Sequence, residues 1–338
     1  MTNTRRSFLK SAALAGASGL LAEDSSAGTS ARDQASASAF EMPRGVRLLT
    51  MRADGEYRLG VKTDKAVLDV KRAAADLKMA APASIDDLLQ NGKGRQLRAV
   101  LDAVAHSHSD GWMVSEEKIE FGPVVRNPEK IIMMGFNYRQ HAIETHTPIP
   151  AYPVLFNKYN NALNSHNGVI HLPTNAAHQF DYEVELVVVF GKAAHNVTED
   201  EALDCVAGYC TGNDFSARDL QTLTSQYMIG KTCDGFAPLG PYFVSADLVG
   251  DPQKLRLETR VNGEQRQDWN TDDMIFNCRQ IISFASKAMT IKPGDILFTG
   301  TPQGVIIGKP KDKQVWLKSG DQVACSVEKL GELKFALV

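Results

Sequence analysis

Hydrophobic and polar positions change rhythm along this 338-residue chain. Between residues 44 and 70 apolar and polar side chains alternate around Asp54-Gly55, with Leu48 before the pair and Tyr57, Leu59 and Val61 after it, which predicts a β-hairpin. Ser84-Ile85-Asp86-Asp87 then resembles a helix-capping box and Asn91-Gly92 a stop, after which Leu97, Val100, Leu101 and Val104 recur at helical spacing. These elements predict a small α+β domain over residues 44–123. From about residue 124 short apolar runs (131–134, 184–190, 296–299) separated by Gly/Pro turns take over. Leu255, Leu257, Thr259 and Val261 alternate into Asn262-Gly263, a strong hairpin signal. Residues 271–288 predict one capped helix with Ile275, Cys278, Ile281, Ile282 and Ala285 inward. Strands that do not alternate regularly with helices argue against a doubly wound sheet or a TIM barrel. The fold class expected is α+β and β-rich, with a larger domain over residues 124–338.

At 43% hydrophobic the chain can bury a sizeable core. The net charge of −3, with no long block of Lys or Arg, gives a nucleic-acid backbone no electrostatic footprint. No apolar stretch after the N-terminus approaches the roughly 20 residues of a membrane-spanning helix. The N-terminus itself carries Thr4-Arg5-Arg6-Ser7-Phe8-Leu9-Lys10 followed by a mild apolar run from Ser11 to Ala22. That pattern resembles a twin-arginine signal peptide over residues 1–31, with small-residue cleavage sites ending at Ala27 or Ala31 and a disordered leader over residues 32–43. Export by the twin-arginine translocation machinery and a periplasmic location are the expectation. Cys205, Cys210, Cys233, Cys278 and Cys325 form no CxxC pair and are odd in number, so no disulfide framework is expected.

Chemistry is most concentrated in Asp181-Tyr182-Glu183-Val184-Glu185-Leu186. Alternation along one strand would put Asp181, Glu183 and Glu185 on a single face. Crowded carboxylates attract a cation, and hard oxygen ligands suit Mg²⁺, Mn²⁺ or Ca²⁺. An amphipathic surface strand fits the same pattern equally well. Asp214, ahead of residues 215–224, reads as a helix N-cap or as a third ligand. His141 and Glu144 fall on one side of a helical turn, either as a surface pair or as a base and its orienting carboxylate.

Asp181-Tyr182-Glu183-Val184-Glu185-Leu186, Asn213-Asp214-Phe215-Ser216-Ala217-Arg218-Asp219-Leu220-Gln221, the Gly-Lys-x-x-Asp-x-Phe-Ala-Pro-Leu-Gly-Pro run at 230–241 and Thr-Gly-Thr-Pro-x-Gly-Val at 299–305 occur in one order. Together they resemble the fumarylacetoacetate hydrolase family over roughly residues 124–338. The resemblance implies a mixed β-roll with a small N-terminal companion domain, usually a homodimer. It implies that Glu183, Glu185 and Asp214 coordinate Mg²⁺ or Mn²⁺, with Asp181 and Arg218 just behind them. Zinc is disfavoured, since the implied ligand set contains no His or Cys. It further implies that His141 with Glu144 activates water, that Lys231 stabilises developing negative charge, and that Gln221 and Thr301, the latter with the Gly300 and Gly304 backbone, contact substrate. The loop after Glu144 is expected to close over the site as a lid. Met134 stands where larger family members supply an additional Asp ligand, so three carboxylates rather than four are expected.

The activity so implied is metal-dependent cleavage of a carbon-carbon bond in a small 2,4-dioxo acid of the acylpyruvate or fumarylpyruvate type. The same residues could serve oxaloacetate decarboxylation or isomerisation of a 2-hydroxy-dienoate, since each passes through an enolate. A periplasmic oxo-acid binding protein without turnover is the rival from another class.

Overall fold

The computed structural model describes residues 41–42, 44–107 and 109–338. The signal peptide and nearly all of the leader expected at the N-terminus lie outside the described residues.

Asp54 and Gly55 both adopt positive φ (51° and 77°), the two-residue turn that a tight hairpin requires, and join strands Arg47–Ala53 and Glu56–Lys62. Ser84 caps helix Ile85–Gln90 by accepting from the Asp87 N–H, and helix Gly94–Ala105 follows with Leu97 and Val100 buried. A third helix, Val70–Asp76, went unpredicted from its short Ala-rich sequence; Asp69 caps it by accepting from the Arg72 N–H. Strand Arg47–Ala53 pairs antiparallel with Ala237–Ser245, so the N-terminal segment extends the sheet of the C-terminal one.

Among the described residues that mixed sheet has 12 strands. Beyond Ala237–Ser245 its order runs through Val206–Asn213, Val184–Phe190, Ile296–Phe298, Ile131–Gly135 and Val154–Lys158. A five-stranded sheet is built on the Arg256–Val261 and Glu264–Asn270 hairpin, whose Asn262-Gly263 turn has φ values of 52° and 83°. Val184–Phe190 is buried along its whole length because both faces are covered. Leu186 and Val188 join the core shared with the smaller sheet, whereas Val187 and Val189 pack in the core that includes Leu88, Leu97 and Val100 of the N-terminal helices. A continuous apolar run is the signature of such a doubly covered strand.

The helix expected over 271–288 is shorter. Thr271–Asp273 forms a 3₁₀ turn, and the α-helix Cys278–Ala288 begins only after Asn277, which forms a reciprocal capping box with Gln280. Cys278, Ile281, Ile282 and Ala285 are buried as expected, and Ile275 lies outside the helix, half-buried. All five cysteines are free thiols.

Candidate active site

The antiparallel register of the two central strands assembles the acidic residues. Val184 lies opposite Asn213 and Glu185 opposite Gly212, and just beyond this pairing the Asp214 N–H donates to the Glu183 carbonyl at 2.9 Å. Gly212 keeps the pairing close to its neighbours, since a Cβ there would fall 2.5 Å from Val187 and 2.7 Å from Phe298. Glu183, Glu185 and Asp214 are consequently buried together, each offering an oxygen within 4.8 Å of the others.

Asp181 does not share a strand face with them. The ladder breaks at Tyr182-Glu183: Phe180–Asp181 pairs with Ser216–Ala217, while the Val184 N–H donates to the Gln267 side chain at 3.1 Å. Period-two alternation holds only within one continuous strand. Asp181 instead accepts from the Ile306 and Ile307 N–H groups at 2.9 and 3.0 Å and from Arg218 Nε at 2.9 Å. Arg218 then reaches Glu183 Oε1 at 2.6 Å and Gln221 Oε1 at 3.0 Å, which makes it the link between Asp181 and the acidic trio. The helix expected over 215–224 is only the turn Arg218–Gln221, capped at Ala217, so Asp214 is not its N-cap.

Two lysines face the carboxylates. Lys231 donates to Glu183 Oε2 at 2.8 Å and to Asp214 Oδ2 at 2.7 Å. Lys158 Nζ lies 2.7 Å from Asp214 Oδ1 while donating to the carbonyls of Phe215 and Phe236 at 3.0 and 2.5 Å. The Lys158–Asp214 contact is a charge contact without hydrogen-bond alignment, and Asp214 Oδ1 has no hydrogen-bond partner. Sequence reasoning missed Lys158; the available signal was a lysine closing the apolar strand Val154–Lys158 on the same face as Phe156.

Burial pushes the Glu185 carboxyl well above its ordinary range, and the charges of Asp214 and Glu183 push it further, against a 2.6 Å hydrogen bond from the Gly300 N–H. Burial acts the same way on Glu183, but Arg218 and Lys231 outweigh it and hold that carboxyl well below the usual range. Burial lowers Lys158, whereas for Lys231 the carboxylates of Asp214 and Glu183 outweigh burial and raise it. An all-oxygen trio whose ligand atoms lie within 4.8 Å of one another, with one carboxyl resisting ionisation, fits a divalent cation such as Mg²⁺ or Mn²⁺.

Helix Arg139–Glu144 brings His141 and Glu144 together, with His141 Nδ1 3.4 Å from Glu144 Oε2. The Gly304 N–H donates to both Glu144 oxygens at 3.0 and 3.1 Å, and Gly308 leaves room for that carboxylate, since a Cβ there would lie 2.3 Å from Glu144 Cδ. The backbone groups expected to grip substrate are thereby engaged: Gly304 holds Glu144, and Gly300 holds Glu185. The Thr301 hydroxyl donates to the Val184 carbonyl and accepts from Gln267, both at 2.9 Å. His141, Glu183, Asp214, Arg218, Gln221, Lys231 and Thr301 nevertheless line one cavity of about 40 Å³. A separate cavity of about 730 Å³ beside helix Gly94–Ala105 contains none of them.

Lys231 depends on a glycine for its position. Helix Met228–Lys231 lies against Arg218–Gln221, and a Cβ at Gly230 would fall 2.3 Å from the Gln221 nitrogen and 2.5 Å from the Ala217 oxygen. Gly230→Ala must therefore displace backbone, which for overpacking costs about 1–3 kcal/mol. Thermal denaturation should show the loss, and an unchanged melting temperature would contradict this packing.

A mixed-sheet fold thus sets a buried oxygen-donor trio beside a His–Glu pair and a lysine ammonium. The family model for the fumarylacetoacetate hydrolase C-terminal domain matches residues 130–338, and the chain belongs to that family. It is 46% identical over 217 residues to a 2,4-didehydro-3-deoxy-L-rhamnonate hydrolase of Sphingomonas, covering 64% of this chain and 75% of that one. It is 37% identical over 262 residues to a mitochondrial oxaloacetate tautomerase of Xenopus laevis, covering 76% and 79%. Among solved structures, a fumarylacetoacetate hydrolase from Exiguobacterium antarcticum superimposes with a TM-score of 0.74 at 30% identity, over 87% of this chain and 99% of that chain.

Proposed function

We propose that this protein is a divalent-metal-dependent hydrolase that cleaves a carbon-carbon bond in a small 2,4-dioxo acid of the acylpyruvate type. The observation that carries the reading is His141, oriented by Glu144 and lining the same cavity as Glu183, Asp214 and Lys231. Chelation alone needs no base. A Mg²⁺ or Mn²⁺ ion held by Glu183, Glu185 and Asp214 supplies Lewis-acid polarisation of the oxo-carboxylate end when bound.

With Glu144 accepting from Nδ1–H, Nε2 of His141 is left to take a proton from water, and the Glu144 carboxylate stabilises the resulting imidazolium. The hydroxyl attacks the carbonyl farther from the carboxylate, the bond between that carbon and the methylene breaks, and a carboxylic acid leaves. The electron pair passes to the pyruvate enolate, whose charge the buried Lys231 ammonium offsets. The proton held on His141 returns to the enolate carbon, giving pyruvate. The 2,4-didehydro acid in the name of the Sphingomonas relative supports this substrate class.

A second reading, keto-enol exchange of oxaloacetate, is favoured by the name of the Xenopus relative and needs the same base but no attacking water. Purified protein with Mg²⁺ and acetylpyruvate should release pyruvate and acetate in equal amounts as the diketone absorbance falls. Accelerated oxaloacetate enol-keto exchange with no pyruvate from any acylpyruvate would replace the hydrolase with the tautomerase.

A further inference from the structure

One wall of the active-site cavity has no role in the chemistry above. Met134, Phe136, Phe156 and Tyr227 line it together with the polar residues. Tyr227 stands edge-on to both phenylalanines, with ring centroids 6.3 Å from Phe136 and 5.7 Å from Phe156. All three rings are only half-buried, so they present apolar surface to whatever fills the cavity.

Phe136 is held there against its own backbone preference. It has φ of 51°, a left-handed conformation that bulky side chains seldom adopt. The following residue enforces it. Asn137 is fully buried, its amide donates to the carbonyls of Phe276 and Thr299 at 3.0 and 2.7 Å, and its oxygen accepts from the Phe276 N–H at 2.9 Å. Gly300, itself at φ 92°, admits this turn, because a Cβ there would fall 2.7 Å from Asn137 Cβ. A strained residue clamped so firmly at a cavity wall points to a binding role.

The cations lining the cavity are already matched. Arg218 is committed to Asp181, Glu183 and Gln221, and Lys231 to Glu183 and Asp214. A second carboxylate on the substrate would meet aromatic edges, a methionine and at most the neutral donors of Tyr227 and Gln221, and burying a charge without a counter-charge is strongly unfavourable.

We infer that Phe136, Phe156 and Tyr227, with Met134, select a substrate whose far end is apolar and uncharged, an acylpyruvate rather than a dioxo diacid. This rests on the reading that the oxo-carboxylate end of the substrate faces Glu183, Glu185 and Asp214. Its test does not depend on turnover. Calorimetric binding of 2-oxopentanoate and 2-oxoglutarate to the full-length protein loaded with Mg²⁺ compares two oxo acids of equal chain length that differ only in a terminal methyl or carboxylate.

The expected result is at least about tenfold tighter binding of 2-oxopentanoate, the scale on which apolar pockets discriminate. Tyr227→Arg should narrow or reverse that ratio while the metal still raises the melting temperature, which reports an intact fold and acidic trio. Equal or tighter binding of 2-oxoglutarate by the parent, or an unchanged ratio in a folded, metal-responsive Tyr227→Arg, would overturn the inference. Absence of acylpyruvate hydrolysis would count against the hydrolase reading and leave this binding preference standing.

Discussion

His141→Ala is expected to lower kcat for 2,4-dioxo acid hydrolysis by about 10²–10⁴-fold, the usual contribution of a positioned acid-base group, while Mg²⁺ binding persists. The separation of effects follows from geometry. His141 contacts Glu144 rather than a carboxylate of the acidic trio, and Glu144 keeps both hydrogen bonds from the Gly304 N–H when the imidazole is gone. The local fold should therefore survive, because Ala142 and the anchoring of Arg139 to the carbonyls of Asp273 and Met274 are untouched. Glu144→Gln should act in the same direction, since a neutral amide stabilises an imidazolium less well. Single-turnover rates measured beside calorimetric metal titration separate the two properties. Hydrolysis at the parental rate in His141→Ala would remove the base from the mechanism.

Glu183→Ala should abolish both activity and the thermal response to metal. Glu183 is a member of the acidic trio and also the shared partner of Arg218 at 2.6 Å and Lys231 at 2.8 Å. Removing it leaves two buried cations short of a counter-charge, a class of change that costs about 3–5 kcal/mol. The parent should gain about 2.7 kcal/mol at a metal concentration near 100 times Kd, and the variant none.

The pH dependence of that gain follows from Glu185, whose carboxyl burial raises well above its ordinary value. In the metal-free protein its contribution to stability is complete below the unfolded value, about 4.3, and is lost as pH rises through the folded one. Metal binding requires the ionised form, so the metal-induced rise in melting temperature should grow with pH across the range above about 4.3. An identical rise at acid and alkaline ends of that range would sink the assignment of Glu185 as a ligand.

The elements most legible in the sequence were those fixed by short-range chemistry. Asp54-Gly55 and Asn262-Gly263 made their hairpins because both residues of such a turn need positive φ, which Asn, Asp and Gly tolerate. The run 184–190 was recognisable as a strand from its apolar continuity, and Glu183, Glu185 and Asp214 from motif order. Helix Cys278–Ala288 was placed but started too early, because the capping residue Asn277 lies inside a stretch whose apolar spacing already looked helical. Asp181 lies behind the trio as the family resemblance implies, but not on its strand face, because alternation does not extend across a break created by two different strand partners.

What the sequence by itself determined was which side chains are available: three carboxylates, a His–Glu pair one helical turn apart and a lysine after glycine. Only the tertiary structure decided which of these share a cavity, that Phe136 joins its wall, that Lys158 pairs with Asp214 and that Gly300 and Gly304 hold protein carboxylates. The physical reason is range. Rotamer, turn and capping preferences act over a few residues and are written locally, whereas charge compensation in a buried site depends on strand register between segments far apart in the chain, which no local pattern encodes.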